Sequence, residues 1–153
     1  MSKVTQTYAK IKKWPAGNWL FGKIVGLSAP FFSNIHPKFI DLRKAYCQVQ
    51  IKDRRSIRNH IGSINAGALC SLAELVGGLA LDSCVPSNMR WIPKGMTVNY
   101  VAKARGTITG TSDLGELVVQ QGDIIVPVKV LNAQGKEVFN AEITFVVSEK
   151  PAV

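Results

Sequence analysis

Asn59–Leu81, NHIGSINAGALCSLAELVGGLAL, is the stretch on which the reading of this chain turns. From Ile64 onward it is almost wholly apolar, and its Ala, Leu, Val and Cys residues do not keep to one stripe at a period of 3.6. They surround the axis, which predicts a helix buried on all sides. One carboxylate, Glu74, stands in its middle, with no Lys or Arg three or four positions to either side. An unpaired buried carboxylate costs several kcal/mol or is driven to its neutral form. Stability alone favours Ala or Leu at that position, so Glu74 is the first candidate for chemistry.

The surrounding sequence sets the class of protein. With 153 residues, 46% hydrophobic and 19% charged, the chain reads as one globular domain over residues 1–153 that needs no disulfide staples. Its three cysteines are an odd number without paired spacing. Cys47 and Cys70 lie in apolar contexts and read as small core residues, a usage that suits a reducing, cytoplasmic location. Neither Cys84 nor His36 and His60 have companions at zinc-ligand spacing, so no metal is expected.

The net charge of +9 is placed unevenly. Up to Arg58 there are 12 Lys and Arg against two acids, Asp41 and Asp53, whereas the remainder has seven against eight. Residues 1–40 therefore read as a basic, helical N-terminal extension. Nucleic acid, an anionic membrane or a phosphorylated small molecule could meet such a surface. Interleaved aromatics or a known nucleic-acid motif are missing from the basic loops, which argues against nucleic acid. The apolar run Trp14–Phe32 is interrupted by Lys23 and is shorter than the roughly 20 residues of a membrane span, so no membrane insertion is expected.

In chain order, Tyr8–Lys13 and Asn18–Leu27 read as short helices split by Pro15-Ala16-Gly17, and Ser28–Lys38 as loop. Ala45–Lys52 alternates as a half-buried strand and leads through the basic loop Asp53–Arg58 into the apolar helix, which Pro86 stops by about Cys84. Four strands follow: Met96–Ala102, Gly106–Thr111, Gly122–Leu131 with Pro127 marking an edge or bulge, and Glu137–Val147. A lone buried helix followed by an antiparallel meander must be wrapped by its sheet.

This order resembles the hot-dog fold, an α+β architecture in which a curved antiparallel sheet wraps one long central helix, here with short N-terminal helices. Within it, Asn59-His60-x-Gly62-x-x-Asn65-Ala66-Gly67-x-x-x-x-Leu72-x-Glu74 is similar to the signature N-x-x-G-x-x-H-G-G-x-x-x-x-L-x-D/E of the phenylacetate-pathway type of acyl-CoA thioesterase. Asn59, Gly62, Gly67 and Glu74 fall on the family's Asn, Gly, second Gly and catalytic acid. Asn65 stands where the family often has His, and Ala66 where it has the first Gly. The stretch Tyr100-x-x-Lys103-Ala104-Arg105-Gly106 also resembles the strand after the helix in these enzymes, and the likeness spans roughly Ala45 to Val147.

The resemblance implies thioester hydrolysis of a fatty or aryl acyl-CoA, with coenzyme A entering as part of the substrate and no separate cofactor. Glu74 would be general base or nucleophile, the Ala66 and Gly67 amides the oxyanion hole, and Asn59 the group that orients water or carbonyl, with Asn65 a further catalytic candidate whose plain alternative is the helix N-cap. Ala66 and Glu74 are eight residues apart, about 12 Å along one helix, so the resemblance further implies a homodimer, or a tetramer as a dimer of dimers, with sites shared between subunits. Arg54, Arg55, Arg58, Arg90, Lys94, Lys103 and Arg105 are candidates for the coenzyme A phosphates, and Thr97 for an added hydroxyl. Trp19, Phe31, Phe32 and Leu79 are candidates for the wall of an acyl groove. A hot-dog dehydratase using His60 and Glu74, and a non-catalytic acyl-CoA-binding protein, are the competing readings. The first lacks the Phe-Pro-Gly and Pro-Gly elements of those dehydratases.

Overall fold

A computed structural model describes residues 2–151, so the single domain expected over 1–153 reaches beyond the described residues at both ends. Helices α1 (Lys3–Ile11) and α2 (Gly17–Ser28) and a 3₁₀ segment (Pro30–Ile35) precede strands β1 (Lys38–Arg43) and β2 (Tyr46–Lys52). The long helix α3 (Ala66–Asp82) follows, and then β3 (Met89–Tyr100), β4 (Thr107–Asp113), β5 (Gly122–Asn132) and β6 (Glu137–Glu149). The strands form one sheet in the order β1-β2-β4-β5-β6-β3, every neighbouring pair antiparallel. Against one face of this sheet lies α3, the hot-dog arrangement expected from the sequence.

Alternation in the strands explains which face the helix covers. Val49, Ile51, Ile108, Val126, Val128, Ile143 and Phe145 are buried beneath α3, while Gln48 and Gln50 on the other face donate to Thr111 and Thr109. Helix and sheet meet at glycine on both sides. A methyl on Gly77 would come within 3.1–3.2 Å of Ile143, Val126 and Val128, and one on Gly110 within 3.0 Å of Leu72. Those two positions set how closely the helix lies on the strands.

Two strands differ from the expectation. β1 falls where the basic extension was expected to end and within no predicted strand: a register shift at Ile40 puts Phe39 and Leu42 both inward, three residues apart, which breaks the period of two. β3 begins seven residues before Met96 and contains Pro93. A bulge at Lys94 lies beside that proline, and β3 is an edge strand, so the missing N–H interrupts no ladder. Trp91 and Met96 are an odd number of residues apart, and the extra residue of the bulge brings both onto the face toward α3. Pro127 sits inside β5, just past the end of the β4 ladder at Lys129, so it occupies a local edge within an internal strand.

The N-terminal helices join the core. Tyr8, Phe21 and Phe39 form a chain of tilted and edge-on ring contacts, with centroids 5.0 Å apart for Tyr8–Phe21 and 4.7 Å for Phe21–Phe39. The Tyr8 hydroxyl donates to the carbonyl of Ile40 at 3.2 Å. Burial, with Asp41 nearby, raises that phenol to about 12. A methyl on Gly22 would sit 2.4 Å from the Pro37 carbonyl oxygen, so only glycine lets α2 lie this near the start of β1. Among the described residues no helix is long and apolar enough to cross a membrane.

The segment between β2 and α3 is tied to the turn before β4. Asp53 accepts from Arg58 at 2.6 Å and from the Gly106 amide at 3.1 Å. The Ile64 amide reaches the Ala104 carbonyl, the Asn65 amide that of Ile57, and Arg105 that of Ile61. Gly62, at φ 73°, and Gly106, at φ 69°, make the left-handed turns that this weave requires.

Two stability measurements check this account. Gly77→Ala is expected to lower stability, since overpacking of about 1–3 kcal/mol outweighs a helix-propensity gain of about 1 kcal/mol; an unchanged or higher Tm would contradict the close approach. The Arg58 hydrogen bond, opposed by burial and aided by the Gly106 amide, holds the Asp53 carboxyl below its ordinary 3.8. Its contribution is therefore complete above that value and lost as pH falls through the lower folded pKa. Asp53→Asn is expected to lower Tm at neutral pH and to flatten its decline in acid, read from thermal melts across the acid range.

Candidate active site

Helix α3 begins where the Asn59–Asn65 loop delivers it. Asn59 braces that loop: its Oδ1 accepts from the amides of Ile61 and Ser63, and its Nδ2 donates to Ser63 Oγ at 2.9 Å. One Nδ2 hydrogen is left over. Asn65 is the N-cap, with backbone at φ −64° and ψ 145°, and its Oδ1 accepts from the Gly67 amide at 2.7 Å. The Ala66 amide has no acceptor among the described residues, and Ala66 is exposed with Asn65 and Gly67 at the positive end of the helix. So of the two amides expected to face an oxyanion, that of Ala66 is open and that of Gly67 is occupied by the cap.

α3 is not buried on every side, contrary to the expectation. Ala66 and Gly67 are exposed and Cys70 and Glu74 are half-buried, a row at helical spacing that turns away from the sheet. Cys70 is thus not a core residue like Cys47. Its sulfur lies 3.6 Å from the Tyr100 hydroxyl, a contact that, together with burial, holds that phenol above its ordinary 10.0.

Glu74 looks into a cavity of about 370 Å³ roofed by the N-terminal helices. Val4, Phe21, Ile24, Val25, Phe32, Leu75, Leu79 and Trp91 supply most of its wall, and Lys3 and Thr7 of α1 line it as well. That volume lies within the roughly 300–1,000 Å³ of small-molecule sites. No hydrogen bond or ion pair engages the Glu74 carboxylate among the described residues. The indole of Trp91 lies over Gly78, where a methyl would approach within 3.1 Å, and donates to Asp82 at 3.1 Å. Edge-on contact with Phe145 at 5.1 Å completes its placement.

Sequence reasoning assigns no role to Trp91 or to the Tyr100 hydroxyl. The signal for Trp91 is masked because Pro93 obscures the first half of β3. Of the four apolar side chains considered for an acyl groove, Phe32 and Leu79 line this cavity, Trp19 lines another, and Phe31 is 67% exposed. Thr97 stands opposite Glu142 on the face of β3 turned from α3, since its neighbours Met96 and Val98 point inward. His60 lies in an exposed turn with no bond to Glu74 among the described residues.

The candidate phosphate ligands divide. Arg54, Arg55, Arg58, Lys103 and Arg105 belong to the loop before α3 and the crossing segment that braces it. Arg58 is engaged by Asp53, Arg105 by the Ile61 carbonyl, and Arg54 by the Asn34 carbonyl at 2.8 Å. Arg90 and Lys94 sit instead on β3, Arg90 against Ser148 and Lys94 on Asp123 at 2.6 Å. Among the described residues no group of three or more His, Cys, Asp or Glu could hold a metal ion.

The model of the family described as a domain of unknown function (DUF4442) matches residues 17–147, from the start of α2 to near the end of β6. No curated protein matches the chain. The crystal structure called genomics APC5556 is 39% identical, with a TM-score of 0.85 over 96% of this chain and 99% of that one. A probable thioesterase from Pseudomonas aeruginosa, PA5026, is 23% identical with a TM-score of 0.78, covering 90% of this chain and 97% of its own. The thioesterase HI1161 from Haemophilus influenzae is 13% identical, at 0.72 over 82% and 88%. The chain belongs to the family described as a domain of unknown function, DUF4442, and has the hot-dog fold found in these thioesterases.

Proposed function

We propose that this protein is an acyl-CoA thioesterase that works as a homodimer, cleaving the thioester of a fatty or aryl acyl-CoA to the free acid and coenzyme A. One observation carries the reading: an unpartnered carboxylate, Glu74, faces an apolar cavity on the helix whose first amide is unbonded. The thioesterase names of the structural neighbours support the same reaction class.

In this reading the acyl chain lies in the apolar cavity with its carbonyl at the mouth. Glu74 takes a proton from water as the water oxygen attacks the carbonyl carbon. The developing oxyanion is met by the Ala66 amide, and by the Gly67 amide if the Asn65 cap releases it. Such donors are each worth about 2.7–4 kcal/mol in the transition state. Collapse of the intermediate breaks the carbon–sulfur bond, and the departing thiolate recovers the proton from Glu74. Direct attack by the carboxylate is the other route open to the same residue. Asn59 offers its remaining Nδ2 hydrogen to water or carbonyl.

Two features argue for a partner. Ala66 and Glu74 lie about 12 Å apart on one helix, too far to act on one carbonyl. β3 is a 12-residue edge strand with Ile92 and Tyr100 exposed, an edge that natural sheets cover or pair. Pairing β3 with its copy would extend the sheet and bring the amides of one subunit toward the acid of the other. Coenzyme A phosphates would meet Arg55 and Lys103, which have no ion-pair partner among the described residues, with Arg54 and Arg105 beside them.

Thiol release from a panel of acyl-CoAs, with Glu74→Gln alongside, tests the chemistry. The variant should lose roughly 10²–10⁴ in kcat; no release from any chain length, or an equally active variant, overturns the reading. Asn65→Ala should cost about 1 kcal/mol of stability through the lost cap and leave most of the rate, because it frees the Gly67 amide. Light scattering should give a dimer or a multiple of one; a monomer at full activity would contradict the shared site.

A further inference from the structure

A separate cleft lies on the other side of α2. Residues Phe21, Ile24, Val25 and Ser28 of that helix face the Glu74 cavity, whereas Trp19, Gly22, Lys23, Gly26 and Leu27 face a second one of about 580 Å³. This groove is closed by the 3₁₀ segment, the start of β1 and the outer face of β2.

Its charge is of one sign. Lys23, Lys38, Lys52 and Arg54 line it, with His36, and no acid does. None of the four enters an ion pair among the described residues, and residues 1–40 contain no Asp or Glu at all. Like charges brought together without a counter-charge destabilise the fold, so the arrangement calls for an anion. Arg54 adds a second sign of incompleteness. Two of its nitrogens donate to the Asn34 carbonyl and to Ser56, but its Nε is buried with no acceptor. After burial, the Arg54 and Lys23 cations are what hold His36 below its ordinary 6.5, which marks the convergence of positive potential there.

The rest of the lining is apolar. Trp19 and Leu27, at i and i+8 on α2, are 59% and 83% exposed, with Lys23 between them and its ammonium 5.4 Å from the Trp19 ring. Large apolar side chains left open beside a cationic cleft point to a ligand with two characters.

We propose that this groove binds an anionic single-chain amphiphile, its carboxylate or phosphate head on Lys23, Lys38, Lys52 and Arg54 and its tail along Trp19 and Leu27. The site is separated from the Glu74 cavity by α2; it shares Arg54 with the residues proposed for coenzyme A, and its occupancy is read without reference to thioester cleavage. Each cavity contains its own tryptophan, Trp19 in the groove and Trp91 beside Glu74, so emission can tell them apart.

The protein is titrated with dodecanoate and, separately, dodecyl phosphate, with dodecanol as the uncharged control. A saturable emission change is expected for at least one of the two anions, and the better of them identifies the head group. The change should persist in Trp91→Phe and vanish in Trp19→Phe. The double variant Lys23→Glu/Lys38→Glu should weaken binding by about tenfold or more, and Lys52→Glu, on a different element, provides the same test should the double variant fold poorly. A signal that follows Trp91 and not Trp19, dodecanol binding as tightly, or no effect of charge reversal overturns the proposal. Thiol release measured on the same proteins is read independently.

Discussion

The close seating of α3 on the sheet is the contact on which the remaining structure depends. Gly77 on the helix and Gly110 on β4 remove the two methyls that would hold the layers apart. With the helix seated there, its rotation is fixed, and Leu72, Ala73, Val76 and Ala80 vanish into the interface. The opposite row, from Ala66 and Gly67 through Cys70 to Glu74, is then obliged to face away from the strands. A carboxylate is tolerable in so apolar a helix because packing directs that row toward a cavity instead of toward Ile143 and its neighbours.

The N-terminal helices make that row a site instead of a bare surface. Held by the Tyr8–Phe21–Phe39 rings and by the close contact at Gly22, α1 and α2 roof the space above Glu74 mostly with aliphatic and aromatic side chains, joined by Lys3 and Thr7 of α1. Trp91 closes the far side from an edge strand, fixed by Asp82 and Phe145. The acid thus sees a mostly apolar chamber that Lys3 also lines, and the helix start, two turns back along the same axis, carries an amide without an acceptor.

Much of this was legible in the residues. The apolar run after Ile64 identifies α3, and Glu74 stands out within it. Alternation of apolar and polar residues is enough for β2, β4, β5 and β6, which begin and end within two residues of where their patterns place them. What escaped had physical causes. β1 loses its period at the Ile40 bulge, and the front of β3 is concealed by Pro93, a residue that an edge strand accepts at no cost to its ladder. The idea that α3 is sheathed on all sides failed because small apolar residues such as Ala66 and Gly67 look alike in sequence whether they are covered or open. The competition between Asn65 and a substrate for the Gly67 amide, and the commitment of Asn59 to its own loop, depend on side-chain direction, which residue type alone does not encode.

Helix α2 separates two chambers of opposite temperament, one greasy around an acid and one cationic around a tryptophan. Because neighbouring positions on a helix point to different sides, a change at Ile24 or Val25 speaks to one chamber and a change at Lys23 or Leu27 to the other. Diversification along this single turn could therefore retune what each compartment admits without disturbing its neighbour, leaving Gly22, which seats the helix, as the fixed partition between them.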